Sequence, residues 1–290
     1  MTDIVGAVAV VTGGAAGIGR GIAEQLIAEG ATVVIADIEE QRLALTAAEI
    51  GADAIPVDVT SAESVQALAD EAIRRHGSVE ILVNNAGVGP MSPIADLTLG
   101  DWKWMLDVNL NGVIHGIAAF LPHLIANPKP AHIVNTGSMA SFAPNSPLGA
   151  YSVSKMGVWA LTEVLAQEMV AAGTGVGVTL LAPGNVHSDI ATSQRNRPDS
   201  EGERARGLKD VDLAASPRAF TAETVWLTPE QAGRVVTRAI RNDDRFAITH
   251  PGLWHRVEER FEQLREAFAQ YPPIQAQTSP DGGIEEKETR

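Results

Sequence analysis

The sequence predicts an α/β fold, a doubly wound parallel sheet of seven strands with helices on both faces. Three observations carry that expectation. Short β-branched runs alternate with helix-length periodic segments, a glycine-rich turn joins the first run to the first helix, and 290 residues at 45% hydrophobic composition suffice for one large core.

In chain order, the runs at 8–11, 32–36, 54–57, 79–83, 132–136 and 177–181 read as buried strands, because parallel strands covered on both faces are near-continuously apolar. Periodic segments at 19–29, 61–76, 101–125 and 152–172 lie between them and have the length of crossover helices. Thr228-Pro229-Glu230-Gln231 is a capping box with proline at the first helical position, so a helix opens there and runs to about Ile240. Residues 245–249 supply the seventh strand and 253–268 a last helix, giving a single catalytic-size domain over 1–270.

Two segments break the alternation. Residues 187–222 mix Arg195, Arg197, Glu201, Glu203, Arg204 and Arg206 with few apolar side chains. They follow the carboxyl end of a strand, where ligands bind in such sheets, so a lid over a substrate site and a solvated surface excursion are the two readings. Residues 271–290 hold Pro272, Pro273, Pro280, Gly282 and Gly283 before a charged end and read as a mostly disordered tail.

Composition excludes several functions. A net charge of -14 repels nucleic acid, and the absence of cysteine removes disulfides, thiolate metal sites and cysteine nucleophiles. The seven histidines show no spacing that would hold a metal. The apolar stretch 7–11 is too short for a signal-peptide core or a membrane span, so a soluble cytoplasmic protein with no membrane partner is expected.

Thr12-Gly13-Gly14-Ala15-Ala16-Gly17-Ile18-Gly19 follows the first strand with the spacing G-x3-G-x-G. Gly13 permits a tight turn, Gly17 lets backbone approach a pyrophosphate, and Gly19 lets helix and strand pack closely at the positive helix end. Alone, such a turn is as often plain as ligand-bearing. Asp37 ends the second strand near the roughly 20-residue offset at which a carboxylate accepts from the adenosine ribose hydroxyls. A 2′-phosphate there would meet like charge, and neither Ala15 nor Ala16 offers a base, so NAD is favoured over NADP. Asp58, just past the third strand, either accepts from the adenine amino group or simply turns the chain.

Tyr151 and Lys155 stand at i and i+4 on one helical face, so their polar ends can converge. An ammonium beside the phenol lowers its pKa from the usual value of about 10, which makes Tyr151 a usable acid or base. Ser138 follows the fifth strand.

Together these features resemble the short-chain dehydrogenases/reductases in their single-domain form. The resemblance spans about 6–249 and rests on Thr12 to Gly19, Asp58-Val59, Asn84-Asn85-Ala86-Gly87, Asn109, Ser138, Tyr151-Ser152-Val153-Ser154-Lys155 and Pro183-Gly184-Asn185-Val186. It implies a Rossmann fold in which Tyr151 exchanges the proton of the alcohol or carbonyl oxygen and Ser138 holds that oxygen. Lys155 would bind the nicotinamide ribose and depress the tyrosine pKa, and Asn109 would anchor a water that relays protons to solvent. Gly13, Ala16, Gly17, Ile18, Gly19, Asp58, Val59, Asn85, Ala86, Gly87, Pro183 and Gly184 would line the cofactor, with Val186 and Ser188 at the carboxamide. Ser188 departs from the family's usual threonine but keeps the hydroxyl. His187 beside it either contacts substrate or is merely exposed.

Val88, Gly89, Pro90, Met139, Phe142, Asn145, Leu148 and Asn185 are the candidate substrate contacts, mostly small or apolar, and suggest a hydrophobic or aromatic secondary alcohol or ketone. The chain also resembles family members that oxidise the benzylic alcohol of lignin-derived aryl ethers. The resemblance implies a homodimer or homotetramer built on the helices from Asp101 and Ser152. Trp102, Trp104, Phe120 and Trp159 lie on these helices, and Trp159 belongs either to the seam or to the core. Two rivals are a non-catalytic NAD(H)-binding sensor, disfavoured because Ser138, Tyr151 and Lys155 are all present, and a sugar-nucleotide epimerase or dehydratase, disfavoured by length.

Overall fold

The computed structural model describes residues 2–205, 208 and 225–271. It divides into two compact units, Met1–Pro251 and Gly252–Arg290, so the division falls before the last helix rather than at 270. The segment 271–290, expected as a disordered tail, lies outside the described residues except for Tyr271, as does most of 206–222.

Among the described residues of the first unit, seven parallel strands form one sheet in the order β3-β2-β1-β4-β5-β6-β7. They are β1 (Val8–Thr12), β2 (Thr32–Asp37), β3 (Asp53–Pro56), β4 (Ile81–Asn84), β5 (Ala131–Thr136), β6 (Val176–Ala182) and β7 (Phe246–Ile248). The order reverses between β1 and β4, which opens a crevice at the carboxyl ends of those strands. Helices α1 (Gly17–Ala28), α2 (Glu40–Ile50), α3 (Ala62–His76), α4 (Leu99–Leu106), α5 (Gly112–Ala126), the short α6 (Met139–Phe142), α7 (Gly149–Ala172) and α8 (Pro229–Asn242) complete the unit. The second unit contributes α9 (Trp254–Ala269).

Alternation along β1 builds two cores. Val8 and Val10 face one with Val65, Leu68, Phe120 and Leu165, while Ala9 and Val11 face the other with Ile22, Leu26, Leu43 and Val236. The sequence reading names no helix between β2 and β3. That segment, α2, buries only Leu43, Thr46 and Ala47, a stripe too narrow to stand out among its charged neighbours.

The helix expected at 101–125 is interrupted. Between α4 and α5 the chain widens into a π turn at Asp107–Asn111 with Asn109 fully buried. By composition the run Leu99–Ala126 could cross a membrane, but Trp104, Met105, Val113 and Phe120 are buried in the protein core. Trp104 and Phe120 are therefore intramolecular, and Trp159 meets Phe142 edge-on at 4.8 Å.

His132 is buried in β5, its Nε2 2.8 Å from the Thr179 hydroxyl, which itself donates to the Asp244 carbonyl. Burial lowers its pKa from 6.5 to about 4. The unfolded imidazole therefore takes up a proton before the folded one, and stability is lost as pH falls from about 6.5 through 4. Urea unfolding of the wild type should show a loss of about 2 kcal/mol between pH 7 and pH 5, and His132→Asn, though less stable at pH 7, should lose much less over that interval. Equal slopes for the two proteins would refute this assignment.

Candidate active site

The glycine turn closes on itself through backbone contacts. Gly17 has a φ of 51° and starts α1, two residues before the expected helix start. A Cβ on Gly19 would lie 2.1 Å from the Gly13 carbonyl oxygen, so only glycine fits. Asn85 straps the turn to β4, its Nδ2 donating to the carbonyls of Thr12 and Gly13 at 3.0 and 3.3 Å. The Thr12 hydroxyl accepts from the amides of Asn85 and Ala86. Thr12 stood in the motif, but nothing in the spacing signalled that strap.

From this turn a cleft of about 260 Å³ runs over the carboxyl ends of the strands. Gly13, Ala16, Gly17, Ile18, Asp37, Asp58, Val59, Asn85, Ala86, Gly87, Ser138, Tyr151, Lys155, Pro183, Gly184, Val186 and Ser188 all line it. Gly19 and Asn109 lie behind its wall. Asp37 Oδ2 accepts from the Ala15 amide and Oδ1 from the Glu39 amide, both at 3.1 Å, which fixes the carboxylate and leaves lone pairs toward the cleft. Asp58 Oδ1 accepts from both the amide and the hydroxyl of Thr60, so Asp58 turns the chain and also lines the cleft.

Ser138, Tyr151 and Lys155 converge where β5 meets α7. The Ser138 hydroxyl lies beside the Tyr151 phenol, and Lys155 Nζ sits 5.8 Å from the Tyr151 ring centre. Nζ donates to the Thr136 carbonyl at 2.8 Å. Ser141 and Ser154, unremarked in the sequence as supports, fix this corner. Ser141 Oγ donates to the Lys155 carbonyl at 2.7 Å, and Ser154 Oγ donates to that of Tyr151 at 2.7 Å.

The electrostatics differ from expectation. Burial pushes the Tyr151 phenol up, only partly offset by Ser138, and burial lowers Lys155 to about 8. With its ammonium turned to Thr136, Lys155 does not overcome the desolvation that raises the tyrosine. The protein alone holds Tyr151 as a phenol.

Asn109 is not bonded to its own helix. Its Oδ1 accepts from the Val88 amide, and its Nδ2 donates to the Val88 carbonyl and the Ser154 hydroxyl. The π turn brings this amide across to the loop after β4, which fits the tendency of such turns to mark functional places.

The segment after β6 is docked over the cleft. Short helical turns at Asp189–Asn196 and Asp199–Glu201 occupy what reads as loop. Arg42 meets Asp189 at 2.6 Å, Arg195 donates to Glu39 at 2.9 Å, and the Gly89 amide donates to Ser193 at 3.0 Å. Arg197 forms an ion pair with Asp101 at 3.0 Å, both side chains almost fully buried. As far as Ala205 this is a seated cover, not a solvated excursion.

The cleft walls hold part of the expected set of substrate contacts. Val88 and Asn185 line the cleft, whereas Phe142 is core against Trp159 and Phe246. Pro90, Met139, Asn145 and Leu148 do not line it, and His187 is exposed and stacked on Trp226 instead of entering. Trp104, Ile190, Ser193, Pro198 and Trp226 also line the cleft.

A parallel sheet with a glycine turn, a carboxylate at the end of β2 and a Ser-Tyr-Lys cluster in one cleft is the arrangement of an oxidoreductase that works with a dinucleotide. The short chain dehydrogenase family model matches residues 7–199, and the chain belongs to that family. A short-chain dehydrogenase/reductase of Burkholderia phymatum, solved in complex with NAD, is similar with a TM-score of 0.86 at 34% identity, over 95% of this chain and 100% of that one. A C alpha-dehydrogenase of Sphingobium sp. is 30% identical over 93% of this chain and 88% of its own length. The 3beta-hydroxysteroid dehydrogenase 2 of Eggerthella lenta is 30% identical over 79% of this chain and 90% of its own.

Proposed function

We propose that this protein transfers a hydride between NAD(H) and a hydrophobic or aromatic secondary alcohol or its ketone, with Tyr151 as general acid and base. The observation that carries this reading is the convergence of Ser138, Tyr151 and Lys155 on one corner of the cleft that begins at the glycine turn. Bound NAD would supply the hydride acceptor. The residues fit it: Gly13, Ala16 and Gly17 line the cleft at the start of α1, where backbone amides suit a pyrophosphate, and the Asp37 carboxylate is fixed by the Ala15 amide at its edge.

In oxidation, the phenolate form of Tyr151 takes the hydroxyl proton as the carbinol hydride leaves, and Ser138 donates a hydrogen bond to the oxygen throughout. In reduction the phenol returns that proton. Lys155 would hold the nicotinamide ribose and, while charged, favours the phenolate. As pH rises through about 8 the lysine loses its charge and that help fades. Asn109, with both N–H donors taken, has only a lone pair on Oδ1 with which to hold a relay water. The apolar walls of Val88, Trp104, Ile190, Pro198 and Trp226 support a hydrophobic substrate, as do the names of the Sphingobium and Eggerthella relatives.

Cofactor choice rests on charge. At this end the cleft carries four carboxylates, Asp37, Glu39, Asp58 and Asp189, against two guanidiniums, Arg42 and Arg195, each already paired. A 2′-phosphate finds no free cation among these residues. The expected kcat/KM is higher with NAD than with NADP by about 10²-fold, and Asp37→Ser should narrow the ratio by about tenfold. Higher efficiency with NADP in the wild type would overturn this choice. A spectrophotometric screen of secondary alcohols, aryl alcohols included, finds the substrate class. Exposed Ile114 on α5 and Val153 and Val164 on α7 support a homodimer or homotetramer formed through those helices.

A further inference from the structure

Helix α9 carries an apolar stripe that the chemistry above does not use. Trp254, Val257, Phe261, Leu264, Phe268 and Tyr271 follow each other at alternating steps of three and four, the spacing of a coiled-coil seam. Only Val257 is buried. Every residue of 261–271 is exposed, Phe268 at 75% and Tyr271 at 79%. A helix of this length is marginal in water by itself and draws its stability from covering its apolar face.

What covers it can be argued from charge and composition. Residues 272–290 offer only Ile274 and Ile284 as large apolar side chains, amid proline, glycine and charge, too little to cover the stripe. An anionic lipid surface is disfavoured, because Glu258, Glu259, Glu262 and Glu266 outnumber Arg256, Arg260 and Arg265 on the helix. A second copy of the helix does match. Glu258 and Arg265 flank the stripe on the same side, and antiparallel pairing lays like flank on like flank. Glu258 of each copy then meets Arg265 of the other, with Phe261 against Leu264 at the centre. Parallel pairing instead sets Arg260 against Arg265, a like-charge clash.

We propose that α9 pairs antiparallel with α9 of a second copy of this chain. The contact is distinct from the α5 and α7 faces and from the cleft, and it does not depend on which substrate or cofactor the cleft takes.

Sedimentation velocity of the full-length protein across a concentration series reads it. Phe261→Glu with Leu264→Glu should abolish one association step, raising its dissociation constant by at least about tenfold, while the unfolding midpoint of the nucleotide-binding unit stays in place. Glu258→Arg and Arg265→Glu should each weaken the same step, and the two together should restore it. Restoration by the double swap is a result that simple loss of helix content cannot produce. Association unchanged in the Phe261/Leu264 variant, no recovery in the double swap, or a wild-type monomer that binds anionic phosphatidylserine vesicles would each overturn the proposal.

Discussion

Tyr151→Phe should reduce hydride transfer by at least about 10³-fold while NADH affinity changes less than about threefold, because the substitution deletes one hydroxyl and nothing that shapes the cleft. The phenol is the group placed to exchange a proton with a substrate oxygen, since it lines the cleft beside Ser138 while Lys155 Nζ is directed to Thr136. Ser138 and the apolar walls persist in the variant, so the KM for alcohol should move little and the loss should fall on kcat. Stopped-flow measurement of NADH formation separates these terms. A variant within tenfold of the wild type would remove Tyr151 from the proposed role.

The second large effect is expected far from the reacting atoms, at Asp101→Asn. Asp101 Oδ2 accepts from the Thr98 amide and hydroxyl and from the Ala205 amide, and its charge faces the buried Arg197. Arg197 in turn donates to the carbonyls of Glu201 and Gly202. Neutralising the carboxylate leaves a guanidinium buried without a counter-charge, at a cost of about 3–5 kcal/mol. The cheapest relief is release of the cover over the cleft, so KM for the alcohol should rise at least about tenfold and limited proteolysis should cut within 189–205. Replacing both partners, Asp101→Asn with Arg197→Met, should recover much of the loss, because no charge is then stranded and an oxygen remains for the Thr98 and Ala205 amides. Unchanged KM and protease resistance in the single variant would show that the pair does not hold the cover.

The contrast between these two residues shows what was legible in the sequence. Tyr151 and Lys155 lie four apart on one helix, so the helical period placed them on one face, and the resemblance of the whole set of motifs implied their roles. Strand positions were legible for the same reason, since a buried parallel strand writes its apolar run locally. Asp101 and Arg197 owe their pairing to a fold-back of the segment after β6 onto α4, which no local pattern records. The π turn at Asn109 was hidden because the extra backbone residue is set by the bond to Val88, a tertiary contact. The pKa of Tyr151 was misjudged likewise. A lysine at i+4 suggests a depressed phenol, but the direction is set by burial and by Lys155 turning to Thr136.

The central claim is that this cleft moves a hydride from a carbinol carbon to NAD. Secondary alcohols deuterated at that carbon, incubated with the protein and NAD, test it directly by mass spectrometry of the nicotinamide product. The account predicts stoichiometric deuterium in the NADH formed by the wild type, a slower rate than with the unlabelled alcohol when chemistry limits turnover, and almost no label with Tyr151→Phe. Protein that binds NADH tightly yet transfers no deuterium from any alcohol in a broad aryl and alicyclic panel would contradict it.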